Sequence, residues 1–267
     1  MKLGSEHILP LMILIAAVLG CNQLTEQANK NSSSNSTTTA KSTPSTVEVN
    51  ADGTIPSGSG VEKEKPETGK ANVQGKAFFN DKPAAGVEVK LCSKFSQYGT
   101  GCGGQTYTAK TDDAGEYIIK GVTPGMYEAL TVRVFNTPYY VFATSGIMSA
   151  AKYDIPADKT FFAPDNNLFK NDVKVTAPKA GSKVAAESIE VKWDVYPEAA
   201  YYKMSIHADS STTAKTDLDF VGKRVDDPTF TLTKPLPAGD YTVRIDAFNA
   251  NDRKLAQTSN DFKFTVK

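Results

Sequence analysis

The feature that most constrains this fold is a succession of short runs in which apolar and polar residues alternate. These runs continue from about Asn72 to the C-terminus, and clusters of glycine, proline, asparagine and aspartate separate them. A period of two residues is typical of β-strands that bury one face, whereas an amphipathic helix needs apolar residues every three or four positions. No long segment of this region has the helical period. The sequence therefore predicts an all-β chain.

The first group of predicted strands occupies residues 72–171. It contains G-V-x-V-x-L from Gly86, T-D-x-x-G-x-Y-x-I from Thr111 and V-x-P-G-x-Y from Val122. This spacing resembles the carboxypeptidase regulatory-like domain, and the resemblance implies a transthyretin-like β-sandwich with a carbohydrate-binding-like fold. The match fades after about Val134, where residues 139–170 form an insertion.

The second group of predicted strands occupies residues 172–267. The run I-x-V-x-W-D-x-Y-P-x-A-x-Y-Y from Ile189, and later L-P-A-G-D-Y-T-V, resemble a fibronectin type III domain. The resemblance implies a second sandwich in which Tyr241 forms a tyrosine corner with the backbone upstream. Another immunoglobulin-like sandwich with the same strand rhythm is the alternative. The fold prediction is thus two tandem β-sandwiches.

The N-terminus carries a predicted lipoprotein signal peptide over residues 1–20. Residues 8–19 are twelve consecutive apolar residues or proline, too few to span a bilayer core but typical of a signal-peptide hydrophobic region. Val18, Leu19 and Gly20 then precede Cys21, which resembles the bacterial lipobox. The resemblance implies cleavage before Cys21 and attachment of acyl chains, palmitate among them. A secreted protein, or a single anchor helix with an incidental cysteine, is the alternative.

The segment from Cys21 to residue 71 is predicted to be a disordered tether. Between residues 31 and 46, 13 of 16 residues are serine, threonine or asparagine. Such a composition buries too little apolar surface to offset the entropy lost on ordering. The segment would therefore hold the sandwiches away from the membrane.

Two cysteines remain after Cys21 is assigned to the lipid. Cys92 and Cys102 flank a predicted hairpin loop in a compartment that we expect to be oxidising, which favours a disulfide. Two free thiols or half of a metal site is the alternative.

No motif in the chain predicts catalysis, and no cofactor is expected. The G-x-G-x-x-G run that ends at Gly104 continues into a predicted strand rather than a helix, as a nucleotide site would require. Ser149 and Lys152 have S-x-x-K spacing, but the companion motifs S-D-N and K-T-G are missing from the sequence. His207 is the only histidine after the signal peptide, and its alternation places it on a solvent-facing side of its strand.

No metal site is predicted either. The paired aspartates at residues 112–113 and 226–227 lie in turns, where aspartate mainly accepts backbone hydrogen bonds. One calcium ion held by turn carboxylates and carbonyls is the alternative, although the chain has no EF-hand loop.

The net charge and the aromatic residues indicate which class of partner to expect. Thirty basic residues balance thirty acidic ones, which argues against nucleic acid because phosphate backbones attract a surplus of lysine and arginine.

Tyr139 and Tyr140 lie in the 139–170 insertion among several other aromatic residues. We expect these aromatics mainly to fill the core or the seam between sandwiches; the alternative is that Tyr139 and Tyr140 bind a ligand.

Together these patterns predict a non-catalytic protein anchored by lipid in the bacterial cell envelope, facing either the periplasm or the exterior. Its sandwiches would serve adhesion, ligand binding or a structural role, with a surface protein or a polysaccharide as the partner. The alternative is a carbohydrate-binding accessory lipoprotein.

Overall fold

The computed structural model describes residues 48–97, 101–145, 149–259 and 262–267. Within these ranges the regular structure is β-strand apart from one short 3₁₀-helix, Leu218–Phe220, so the all-β prediction is confirmed. The predicted signal peptide, Cys21 and the tether as far as residue 47 lie outside the described residues. The described part of the chain contains no helix long and apolar enough to cross a membrane.

The first sandwich is built from strands that precede residue 168. In chain order these are β1 (Ala71–Phe79), β2 (Lys82–Pro83), β3 (Glu88–Ser96), β4 (Gly101–Lys110), β5 (Glu116–Val122), β6 (Gly125–Tyr127), β7 (Ala129–Arg133), β8 (Tyr140–Phe142), β9 (Tyr153–Ile155), β10 (Thr160–Phe162) and β11 (Asn166–Asn167).

Two main sheets form this sandwich, and β6 and β9 pair antiparallel as a separate two-stranded sheet. In one, β1 pairs in parallel with β10 and β11 and antiparallel with β2 and β5, while the other has the order β4-β3-β7-β8. In the second sheet Val89, Val132 and Val141 stand side by side and are buried, because alternate residues of each strand face the core. The 139–170 insertion supplies β8 to β11 and buries Tyr153 and Phe161.

The structured chain begins upstream of Asn72, which corrects the C-terminal part of the predicted tether. Ile55 is 4% exposed and packs in the core of the first sandwich. Its amide donates to the Lys152 carbonyl at 2.8 Å, and the Gly58 amide donates to the Phe162 carbonyl at 2.8 Å. One isoleucine and a few backbone hydrogen bonds thus order a segment whose mainly polar composition predicts disorder.

The second sandwich follows Val173. Its strands are β12 (Val175–Ala177), β13 (Lys183–Val184), β14 (Glu190–Trp193), β15 (Tyr201–Ala208), β16 (Lys223–Val225), β17 (Thr229–Thr231), β18 (Gly239–Phe248), β19 (Lys254–Gln257) and β20 (Lys263–Val266).

One sheet of the second sandwich has the order β13-β20-β18-β15-β16, with β19 also paired to β18, and the other has the order β12-β14-β17. Trp193 and Tyr202 meet edge to face between the sheets, with ring centroids 5.3 Å apart. The Tyr241 hydroxyl donates to the Pro237 carbonyl at 2.8 Å. This contact has the form of the tyrosine corner that the resemblance to fibronectin type III implies.

A disulfide joins Cys92 on β3 to Cys102 on β4, and their Cα atoms are 5.4 Å apart. The two strands pair antiparallel, with a register shift between Cys92 and Lys94. The Cys102 sulfur lies 3.7 Å from the Thr131 hydroxyl of β7. The bridge therefore ties the edge strand β4 to the centre of its sheet.

We expect Cys92→Ser to lower the free energy of unfolding by about 3 kcal/mol, because the bridge closes a short loop and restricts the unfolded chain. Urea unfolding of the oxidised protein measures this loss. The double variant Cys92→Ser/Cys102→Ser is the control for an unpaired thiol. Unchanged stability in both variants, with unchanged mobility on non-reducing gels, would contradict the bridge.

Candidate ligand-binding site at the junction of the two sandwiches

The β1–β2 hairpin points a carboxylate at the second sandwich. Phe79 pairs with Lys82, and the two residues between them, Asn80 and Asp81, have φ of 51° and 59°. Positive φ at both positions is typical of a type I′ turn, which asparagine and aspartate tolerate better than most residues. The turn thus places Asp81 at the tip of the hairpin.

Asp81 binds three side chains of the β18–β19 hairpin. Its Oδ2 accepts hydrogen bonds from the Asn249 and Asn251 amides, each at 2.8 Å, and its Oδ1 accepts one from Arg253 Nε at 3.3 Å. Asn249 is itself fixed, because its Oδ1 accepts from the backbone amides of Asn251 and Arg253. Asn80 adds hydrogen bonds to Asn249 and Glu198. The two hairpin turns therefore meet through charge-assisted contacts.

The backbone connection between the sandwiches is short and is hydrogen-bonded to the second sandwich. Leu168 is buried in the first core and Val173 in the second. Between them, the Lys170 amide donates to the Leu255 carbonyl at 2.9 Å, and the Lys170 carbonyl accepts from the Gln257 amide at 2.8 Å. We call these contacts, together with those of the Asn80–Asp81 turn, the junction.

Two lysines pack on phenylalanine rings at the junction. Lys170 Nζ lies 5.2 Å from the Phe79 ring centroid and 5.8 Å from that of Phe135. Lys254 Nζ lies 4.3 Å from the Phe169 ring centroid. Burial lowers the pKa of Lys254 to about 8, although the Asp246 carboxylate at 2.8 Å acts in the opposite direction. Cation–π contacts of this kind are stronger where water is excluded.

We expect Asp81→Asn to lower the free energy of unfolding by about 1 kcal/mol, because the neutral amide replaces charge-assisted hydrogen bonds with weaker ones. Asparagine keeps the size of the side chain and tolerates the positive φ, so the change isolates the charge. Urea unfolding followed by Trp193 fluorescence measures it. Asp113→Asn, at an exposed turn position, is the matched control, and equal stabilities of the two variants would contradict the role of Asp81.

Beside the junction lies a cleft with a volume of about 400 Å³, which we call the junction cleft. One wall is the β7–β8 loop and the other is the connection between the sandwiches. Its lining residues are Phe135, Asn136, Thr137, Tyr139, Lys170, Asn171 and Asp172. The cleft thus combines an aromatic wall with amide, carboxylate and ammonium groups.

The structure does not bring the two predicted ligand-binding tyrosines together. Tyr139 is 49% exposed and lines the junction cleft. Tyr140 is 39% exposed, pairs with Arg133 on β7 and lines a separate hollow of about 120 Å³ beside Phe95 and Cys102. Neighbouring residues of an extended chain point in opposite directions, so the two side chains belong to different surfaces.

The other motifs lie apart from the junction. Gly101 to Gly104 lie in β4, and the two residues before them fall outside the described ranges. Ser149 and Lys152 line a shallow hollow with Asp52. His207 is exposed on β15. The Asp112 carboxylate accepts hydrogen bonds from the backbone amides of Ala114 and Glu116. In the described ranges, no group of three or more His, Cys, Asp or Glu residues is placed to hold a metal ion.

The residues of the junction carry no signal in the sequence that predicts their contact. Asn80, Asp81, Asn249, Asn251 and Arg253 all lie between alternating runs, where polar residues are common in turns. The one local signal is at the first turn, because asparagine and aspartate adopt a positive φ more readily than other residues with side chains.

Comparison with known proteins identifies distant structural neighbours and no family. No family model matches the chain, and no curated protein matches it. A Bacteroides uniformis protein to which carbohydrate binding has been ascribed is 13% identical, with 70% of this chain and 94% of that one covered and a TM-score of 0.25.

Two structures of multidomain segments from other proteins are similarly distant. The FN1–FN3 domains of chicken CNTN1 are 15% identical, with coverage of 78% and 70% and a TM-score of 0.26. The fibronectin(III)-like modules of Clostridium thermocellum CbhA are 13% identical, with coverage of 75% and 90% and a TM-score of 0.27. Similarity at this level carries no argument about the fold or the function of this chain.

Proposed function

We propose that this chain is a non-catalytic, lipid-anchored protein of the bacterial cell envelope that presents two β-sandwiches as one rigid unit. The observation that carries the proposal is the junction, where Asp81 binds three side chains of the second sandwich. A rigid arrangement orders the binding surface in advance and so reduces the entropy lost when a partner binds. Such an arrangement suits adhesion, ligand display or a structural role.

The N-terminal sequence supports the anchored location. Cys21 follows an apolar run and a small residue, and the polar segment after it has the composition of a tether. Attachment of more than one acyl chain at Cys21 would give stable membrane binding, which a single chain does not.

A carbohydrate-binding accessory protein is the second candidate function. Exposed tyrosines favour it, because an aromatic face presents flat apolar area to a sugar ring while its hydroxyl remains in water. Tyr139 and Tyr140 are both exposed; Tyr139 lines the junction cleft and Tyr140 a separate hollow of the first sandwich.

We expect Cys21→Ser to abolish labelling by radioactive palmitate and to move the protein from the membrane fraction to the soluble fraction, because the thiol that receives the lipid is lost. Metabolic labelling and fractionation of the expressing bacterium measure both effects. The double variant Cys92→Ser/Cys102→Ser is the control and should keep both its label and its membrane location. Membrane retention and labelling of Cys21→Ser would contradict the anchor.

A further inference from the structure

We propose that the junction cleft is a saccharide-binding site in which Tyr139 stacks on a pyranose ring and the facing polar groups bind its hydroxyls. The inference deepens the second candidate function and rests on it. It assigns the site to the cleft beside the connection between the sandwiches, rather than to the surface around Tyr140.

The loop that carries Tyr139 is fixed before any ligand binds. The Thr137 hydroxyl donates to the Val134 carbonyl at 2.6 Å and accepts from the Tyr139 amide at 3.2 Å. Arg133 Nε donates to the Thr137 carbonyl at 2.9 Å, and the Val134 amide donates to the Tyr139 carbonyl at 2.9 Å. A half-exposed ring on a rigid loop loses little entropy on stacking.

Phe135 holds a strained backbone conformation at the base of the same loop. Its φ of 50° is uncommon for any residue other than glycine, and more so for a bulky one. Its ring packs edge to face on Phe79, with the ring centroids 5.4 Å apart. Strained residues that the surrounding packing holds in place are concentrated at binding and active sites. In this conformation the Phe135 ring centroid lies 5.8 Å from Lys170 Nζ, and Phe135 lines the cleft.

The facing wall offers one buried acceptor that the protein leaves unpaired. The Asn171 Oδ1 atom is buried and has no hydrogen-bond partner among the described residues. A buried acceptor without a donor is unfavourable, so a hydroxyl that donated to it after a small movement of the side chain would bind well. Asp172 on the same wall, whose carboxylate also accepts a hydrogen bond from the Tyr196 hydroxyl, and Asn136 on the β7–β8 loop add exposed polar groups.

The chemistry of the lining favours a saccharide over a phosphate-rich ligand and over an apolar one. The cleft contains one lysine and one aspartate, so it lacks the positive charge that a phosphate-rich ligand needs. An apolar ligand would cover amides and a carboxylate without binding them, at a free-energy cost. The volume of the junction cleft, about 400 Å³, lies within the usual range of small-ligand sites. A short saccharide satisfies both the aromatic and the polar walls.

The test uses the full chain purified in mild detergent. A panel of neutral oligosaccharides, namely cello-, xylo-, laminari-, manno- and chito-oligosaccharides, is screened on an array, and isothermal titration calorimetry measures the affinity of each hit. We expect at least one to bind, Tyr139→Ala to weaken it about tenfold or more, and Tyr139→Phe to retain it because the stacking face remains. Tyr140→Ala, at the neighbouring exposed tyrosine, is the matched control and should bind within about twofold of the wild type.

The outcomes separate this inference from the functions on which it rests. If Tyr139→Ala still binds the saccharide, or if Tyr140→Ala alone loses binding, the junction cleft is not the binding site. Carbohydrate binding by the protein would then remain in place. A wild-type chain that binds no member of the panel would overturn both the cleft and the carbohydrate function, and would leave the anchored display of two sandwiches standing. Melting temperatures of the variants, expected to match the wild type, exclude unfolding as the cause of any loss.

Discussion

Asp81 joins two hairpin turns that belong to different sandwiches, and the rest of the arrangement depends on that contact. Both oxygens of the Asp81 carboxylate accept hydrogen bonds from side chains of the β18–β19 turn. Hydrogen bonds within that turn hold the Asn249 side chain in place. Because only four residues separate Leu168 from Val173, the connection has little slack. The backbone hydrogen bonds of Lys170 to the second sandwich restrict the movement of this connection further.

The junction also creates the cleft beside it. One wall is a loop of the first sandwich, and the other is the connection that the second sandwich holds in place through Lys170. Neither sandwich alone would fix the distance between Tyr139 and Asn171. A binding site at such a place gains its shape from the packing of two domains, and sites between domains are a common location for ligands.

The sequence predicts the strands well because alternation is a local property of each run. Val89 and Val132 are buried as their period of two residues indicates. The same rule should have separated Tyr139 from Tyr140, since neighbours on an extended chain face opposite ways. Contacts between residues more than 160 positions apart, such as Asp81 with Asn249, leave no local pattern, and the burial of Ile55 depends on a core assembled elsewhere.

The central claim, that the two sandwiches move as one body, is tested most directly by residual dipolar couplings of backbone amides. The measurement uses the full-length Cys21→Ser chain, weakly aligned in solution. If the junction is rigid, the couplings of both sandwiches fit one alignment tensor with the orientation seen in the structure. Two tensors of different magnitude or orientation would show independent motion and contradict the account.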